Sequence, residues 1–152
     1  MSGSSTPSFT GSNFIGTNYD LNKIFVRNNR YAKGTIANNT GAAATLLAGT
    51  VLAFNSATSQ LVPWDNDNTA NGQNIPVGIL QQDLAELANG ATQADVAYCV
   101  RGDVAEDKII VVDGAQSLDT VIAEDGGRTL RNSLRNLQIL PIESEDLTGV
   151  DN

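Results

Sequence analysis

Val96-Ala97-Tyr98-Cys99-Val100-Arg101-Gly102-Asp103-Val104 is the stretch on which the fold turns. Val96, Tyr98 and Val100 alternate with Ala97, Cys99 and Arg101, a period of two that places the larger side chains on one face of a strand. An Arg-Gly-Asp tripeptide follows, and such a tripeptide serves either as an adhesion hook at a loop tip or as a bend. Val104 resumes the alternation within one residue, so the strand reading prevails. Gly102 then supplies a bulge or change of direction, with Arg101 and Asp103 flanking it on one face.

Outward from this strand, the neighbouring runs are also strand-like. Leu47 to Phe54 and Gln60 to Trp64 are joined by the turn-forming Asn55-Ser56-Ala57-Thr58-Ser59, which predicts a hairpin. Pro63 has no amide hydrogen for a ladder, so its strand should lie at an edge or be ending there. Asp65 to Asn74 is a loop by composition. Pro76 to Leu80 is a short buried strand in which Gly78 marks close backbone approach. Gln81 to Asn89 reads as a helical turn, and Ile109 to Val112 as a further strand.

Leu130, Leu134 and Leu137 are spaced i, i+4 and i+7 and predict an amphipathic helix over residues 128–137. Arg128, Arg131 and Arg135 lie roughly 130° round from the leucines and should project outward. Gln138 to Ile142 returns as a last strand before an acidic tail, residues 143–152. Several strands with one late helix give a small α+β domain, mainly β.

The 152 residues suffice for one domain with appendages. The net charge of −8 is uneven: residues 1–60 hold Lys23, Arg27, Arg30 and Lys33 against Asp20, giving +3, which leaves −11 for the rest. An acidic body repels a phosphate backbone, whereas the basic N-terminal segment suits an acidic protein partner. No nucleic acid and no membrane are expected as partners. No apolar run reaches the ~18 residues that span a bilayer, and Met1 to Thr10 lacks the features of a signal peptide, so synthesis in the cytosol is expected. The single cysteine, Cys99, reads as a buried thiol.

Chemistry is sparse. The absence of histidine removes the usual general base, the Ser-His-Asp and Cys-His arrangements and the commonest metal ligand. A two-carboxylate glycosidase lacks an evident sugar cleft. Asp65 to Thr69 resembles the opening of a calcium loop, but its sixth position is Ala70 rather than Gly and its twelfth is Pro76 rather than Glu. No catalytic residue, cofactor or metal is expected. Gly126-Gly127 reads as a hinge into the helix.

Residues 1–45 are polar and show no sustained period, so they read as an extended N-terminal arm ahead of a body spanning residues 46–142. Yet Phe9, Phe14, Tyr19, Phe25 and Tyr31 all fall there, with Leu21, Ile24 and Val26 among them. Spaced hydrophobes on a polar chain suit a segment that orders against another surface. The other reading is a flap folded onto its own domain.

Taken in order, Gln60-Leu61-Val62-Pro63-Trp64-Asp65, Val77-Gly78-Ile79-Leu80 and Tyr98 to Val104, with Glu106-Asp107 after them, resemble the head decoration (cement) proteins of lambda-like tailed phages. The resemblance spans Leu46 to Val112. It implies a barrel-like β domain with a C-terminal helix, a homotrimer on the outer surface of an expanded capsid, the phage major capsid protein as partner, and no catalysis. It also implies that the arm adds a strand to capsid protein, with Phe14, Ile15, Tyr19, Leu21, Ile24, Phe25, Val26, Arg27 and Tyr31 as candidate contacts. Pro63, Trp64, Arg101 and Asp103 are candidate trimer or fold contacts. The long arm and the acidic tail depart from the family pattern. An adhesion or carbohydrate-binding module on a virion is the alternative, and a minor enzyme the third.

Overall fold

A computed structural model of the protein describes residues 23–143. Its strands are β1 (Phe25–Ala37), β2 (Val51–Asn55), β3 (Gln60–Pro63), β4 (Pro76–Leu80), β5 (Thr92–Ala105), β6 (Val121–Ile122), β7 (Arg128–Thr129) and β8 (Ile139–Ile142), with one helix, α1 (Leu130–Asn136). Hydrogen bonding runs β1-β3-β2-β4-β5, and β5 returns to β1, which closes a five-stranded barrel. β8 then pairs in parallel with the end of β5, Gly102 opposite Ile139 through Ala105 opposite Ile142. The fold is mainly β with one helix near the C-terminus, as the strand pattern implied.

Both faces of the barrel wall are buried. Leu52, Leu61 and Leu80 join one cluster with Ile36, Leu46, Leu84 and Val96. Their chain neighbours Ala53, Val62 and Ile79 join the other, with Trp64, Ile122, Leu130, Leu134 and Ile139. This explains the unbroken apolar run at Val51 to Ala53, since a strand covered on both sides has no polar face to alternate with. Trp64 is buried, and its indole N–H donates to the Asn74 carbonyl at 2.7 Å. Pro63 is the last residue of β3, opposite Leu52, and the next bond to β2 is made by the Trp64 N–H to the Val51 carbonyl at 2.9 Å, so the ladder steps past the amide that Pro63 lacks. A Cβ at Gly78 would stand 2.6 Å from both the Cys99 carbonyl and the Tyr98 ring, which accounts for glycine at that crossing of β4 and β5.

Three local expectations are corrected. Gln81 to Asn89 is extended rather than helical, because it bonds outward: Leu84 N–H to Leu46 O, Leu87 N–H to Ala44 O, and Asp83 Oδ1 accepting from Ala48 N–H. Ile109 to Val112 makes a single bridge, Ile110 with Thr50, instead of a strand. The helix is shorter than residues 128–137, since Arg128 and Thr129 pair with Ile122 and Val121 in a small hairpin whose turn contains Gly126 and Gly127, both at positive φ. Thr129 caps α1 by accepting from Asn132 N–H at 3.3 Å. Leu130 and Leu134 are fully buried, whereas Leu137, at the C-cap, is half-exposed.

The largest correction concerns the boundary at residue 45. β1 is a 13-residue strand of the barrel, antiparallel to β5 from Phe25 opposite Val104 to Ala37 opposite Thr92. Asn38, fully buried, ties the next turn by donating to Ala42 O and Leu87 O at 2.7 and 2.8 Å. The described part of residues 1–45 is therefore body, and of the predicted arm only residues 1–22 lie outside the described residues.

Candidate functional site

Ile24, Phe25, Val26, Arg27 and Tyr31, predicted as arm contacts, line up along the start of β1. The Ile24 carbonyl accepts from Ala105 N–H at 2.8 Å. Ile24 and Phe25 pack against the core cluster beneath α1. Phe25 also meets Tyr31 edge to face, with ring centroids 5.7 Å apart and planes at 78°. Tyr31 remains 43% exposed, so half of this aromatic pair is open to a partner. Phe14, Ile15, Tyr19 and Leu21 lie outside the described residues.

The first half of β1 is irregular. Arg27 is opposite Asp103 and Arg30 opposite Arg101, so three steps on β1 match two on β5, and the surplus residue falls at the Asn28-Asn29 bulge. Asn28 is accordingly at φ 56°. Gly102, at φ 127°, sits under this bulge, and a Cβ there would be 2.6 Å from Asn29 Cα. Asn29 Nδ2 donates to the Asp103 carbonyl at 3.1 Å.

The Arg-Gly-Asp tripeptide is thereby resolved as a bend. Asp103 is buried and its carboxylate is held by Arg27. A receptor would find only Arg101 on the surface.

Beneath the bulge, Cys99 is fully buried. Burial pushes its thiol up from the usual range, with the hydrogen bond from the Asn29 amide opposing; the thiol itself donates to the Arg101 carbonyl at 3.2 Å. Burial also raises the Tyr31 hydroxyl, with nearby Cys99 adding to the effect.

The arginines of the predicted helix stripe are not uniformly solvated. Arg131 spans Glu106 and Asp119, and the bond to Glu106 raises its already high pKa. Arg128 pairs with Asp125 at 2.8 Å. Arg135 points to a groove shared with Arg30 and Arg101 on the β1–β5 side. Composition gave no hint of that gathering, because the three residues come together only through the bulged ladder and the helix end.

Among the described residues, Asp65, Asp67 and Asp113 bring carboxylates within 4.8 Å of one another and are the group that could take a cation. The Gln116 amide already donates to Asp65 and Asp113, at 3.1 Å each. No helix among the described residues is long and apolar enough to cross a membrane.

No curated protein matches the chain. The family model of the bacteriophage lambda head decoration protein D matches residues 22–126, more than half of the sequence. The match begins just ahead of β1 and runs through the barrel into the small hairpin, so it includes the strand that the sequence resemblance had left outside. The chain belongs to the bacteriophage lambda head decoration protein D family.

Proposed function

We propose that the protein binds the outside of an expanded phage head as a homotrimer and stabilises the shell against internal DNA pressure, with residues 1–22 adding a strand to the major capsid protein. Family membership supports the capsid decoration role itself. The observation that favours the finer reading is the start of β1. Its aromatic pair is half-open, and the chain enters the barrel there directly from a segment carrying Phe9, Phe14, Ile15, Tyr19 and Leu21.

The energetics fit a multivalent clamp. An added strand contributes backbone hydrogen bonds, and each buried apolar side chain contributes ~25 cal/mol per Å². Ordering a segment costs ~1–2 kcal/mol per residue, so a single arm binds modestly. Three arms on one trimer raise avidity by ~10² to 10⁴ once the first is docked. A protein that binds only the assembled shell stabilises that state by linkage.

Deleting residues 1–22 is the corresponding experiment. The truncated protein should remain a folded trimer by sedimentation velocity and lose binding to expanded shells. Undiminished binding would remove the arm from the account.

A further inference from the structure

The six arginines divide into two sets. Arg27, Arg128 and Arg131 each meet a carboxylate. Arg30, Arg101 and Arg135 are in no ion pair among the described residues, and all three line one groove, floored by Gly102 and edged by Leu140.

Asp103 also lines the groove, but its carboxylate is paired with Arg27, and nothing in the fold requires the gathering of the three arginines. Arg30 and Arg101 are direct Cα partners in the β1–β5 ladder, where like charges repel and weaken the sheet. Arg135 is in the last turn of α1, where a cation favours the helix end, but that accounts for one charge of the three. The protein carries −8 overall, so a positive groove is an exception on its surface and focuses an incoming anionic group.

We infer that this groove docks an acidic segment of the capsid protein during decoration, an inference that rests on the function proposed above. Its volume of about 670 Å³ lies within the range of pockets that hold molecules larger than a single ion, so it accommodates a short stretch of chain. Guanidinium forks match carboxylates in paired, parallel hydrogen bonds. Arg30 is at most about 17 Å along the bulged start of β1 from Phe25, where the N-terminal segment enters, so a partner engaged by that segment is within reach of the groove. Nucleic acid fits less well, because residues 61–152 carry −11 (−8 less the +3 of residues 1–60) and would repel a phosphate backbone.

The experiment is sedimentation with expanded shells at about 50 and about 300 mM salt, comparing wild type with the triple variant Arg30→Gln, Arg101→Gln, Arg135→Gln. The triple variant should bind about tenfold more weakly at low salt and lose most of the salt dependence. Wild type that binds, together with a triple variant that binds equally at both salts, overturns this inference alone. Wild type that binds no shell contradicts the decoration reading and this inference with it. A changed oligomeric state of the variant in the absence of shells would assign the groove to contacts between copies. Removal of residues 144–152 that tightens wild-type binding but not the variant's would assign it to the chain's own acidic tail. Loss in the variant of binding to a duplex oligonucleotide would assign it to nucleic acid. Each of these three results overturns the inference. Should the triple variant fail to fold, Arg101→Gln and Arg135→Gln singly are expected to weaken binding about two- to threefold, and no change in either overturns it.

Discussion

Arg27 and Asp103 are Cα partners across the β1–β5 ladder and form an ion pair in which the arginine side chain is 60% exposed and the carboxylate only 10%. The pair closes the barrel beside its bulge and occupies the acid of the Arg-Gly-Asp tripeptide. Asp103→Ala removes the acceptor for Arg27 at the bulge. It should cost about 1–2 kcal/mol of stability, read as a lower urea midpoint. Asp103→Glu should leave attachment to cells unchanged, because the tripeptide is a structural bend. Cell attachment that depends on Asp103 would restore the adhesion reading.

Gly102→Ala sets a Cβ against Asn29 Cα and forces a side chain onto φ 127°. A loss of at least about 2–3 kcal/mol is expected in equilibrium unfolding. Gly90→Ala, also at positive φ but with open space around it, should cost only about 1 kcal/mol. Equal effects at the two sites would mean that the close approach under the Asn28-Asn29 bulge is absent.

Leu134→Ala empties a fully buried site beneath α1 and should cost about 2–5 kcal/mol. Leu137→Ala, at the half-exposed C-cap, should cost less than about 1 kcal/mol. Thermal unfolding of the two variants separates the helix as observed from a helix that continues to residue 137.

The Cys99 thiol has its folded pKa raised above the ordinary 9.0 by burial. In the window between the two values the folded state holds the proton and the unfolded state releases it, so stability is intact below the unfolded pKa and falls as pH rises through the window. The urea midpoint should therefore drop above about pH 9, and Cys99→Ala should reduce that drop. Native protein at pH 8 should resist iodoacetamide until unfolded. Prompt alkylation of the native state would contradict the burial.

Much of this architecture was legible in the sequence because it rests on short-range rules. The bend at Gly102, the crossing at Gly78, the β2–β3 hairpin and the leucine face of α1 each follow from turn chemistry or periodicity. β1 was not legible. Its register shifts at Val26, at Asn28-Asn29, just after Arg30 and again between Gly34 and Ile36, so no regular run longer than Tyr31 to Gly34 survives for a period of two to be read. Gln81 to Asn89 has helical composition, but its Gln81, Leu84 and Leu87 amides donate to Ala97, Leu46 and Ala44, a tertiary choice that local propensity does not encode. The arginine groove escaped for the same reason: its three members lie in different parts of the chain and meet only when the bulged ladder places Arg30 opposite Arg101.

The most direct measurement of the central claim is a density map of expanded shells saturated with the full-length protein. The account expects barrels grouped in threes on the outer surface, with residues 1–22 of each lying as an added strand hydrogen-bonded to capsid protein. Shells without bound barrels, or residues 1–22 packed on their own barrel with no contact to the shell, would contradict it.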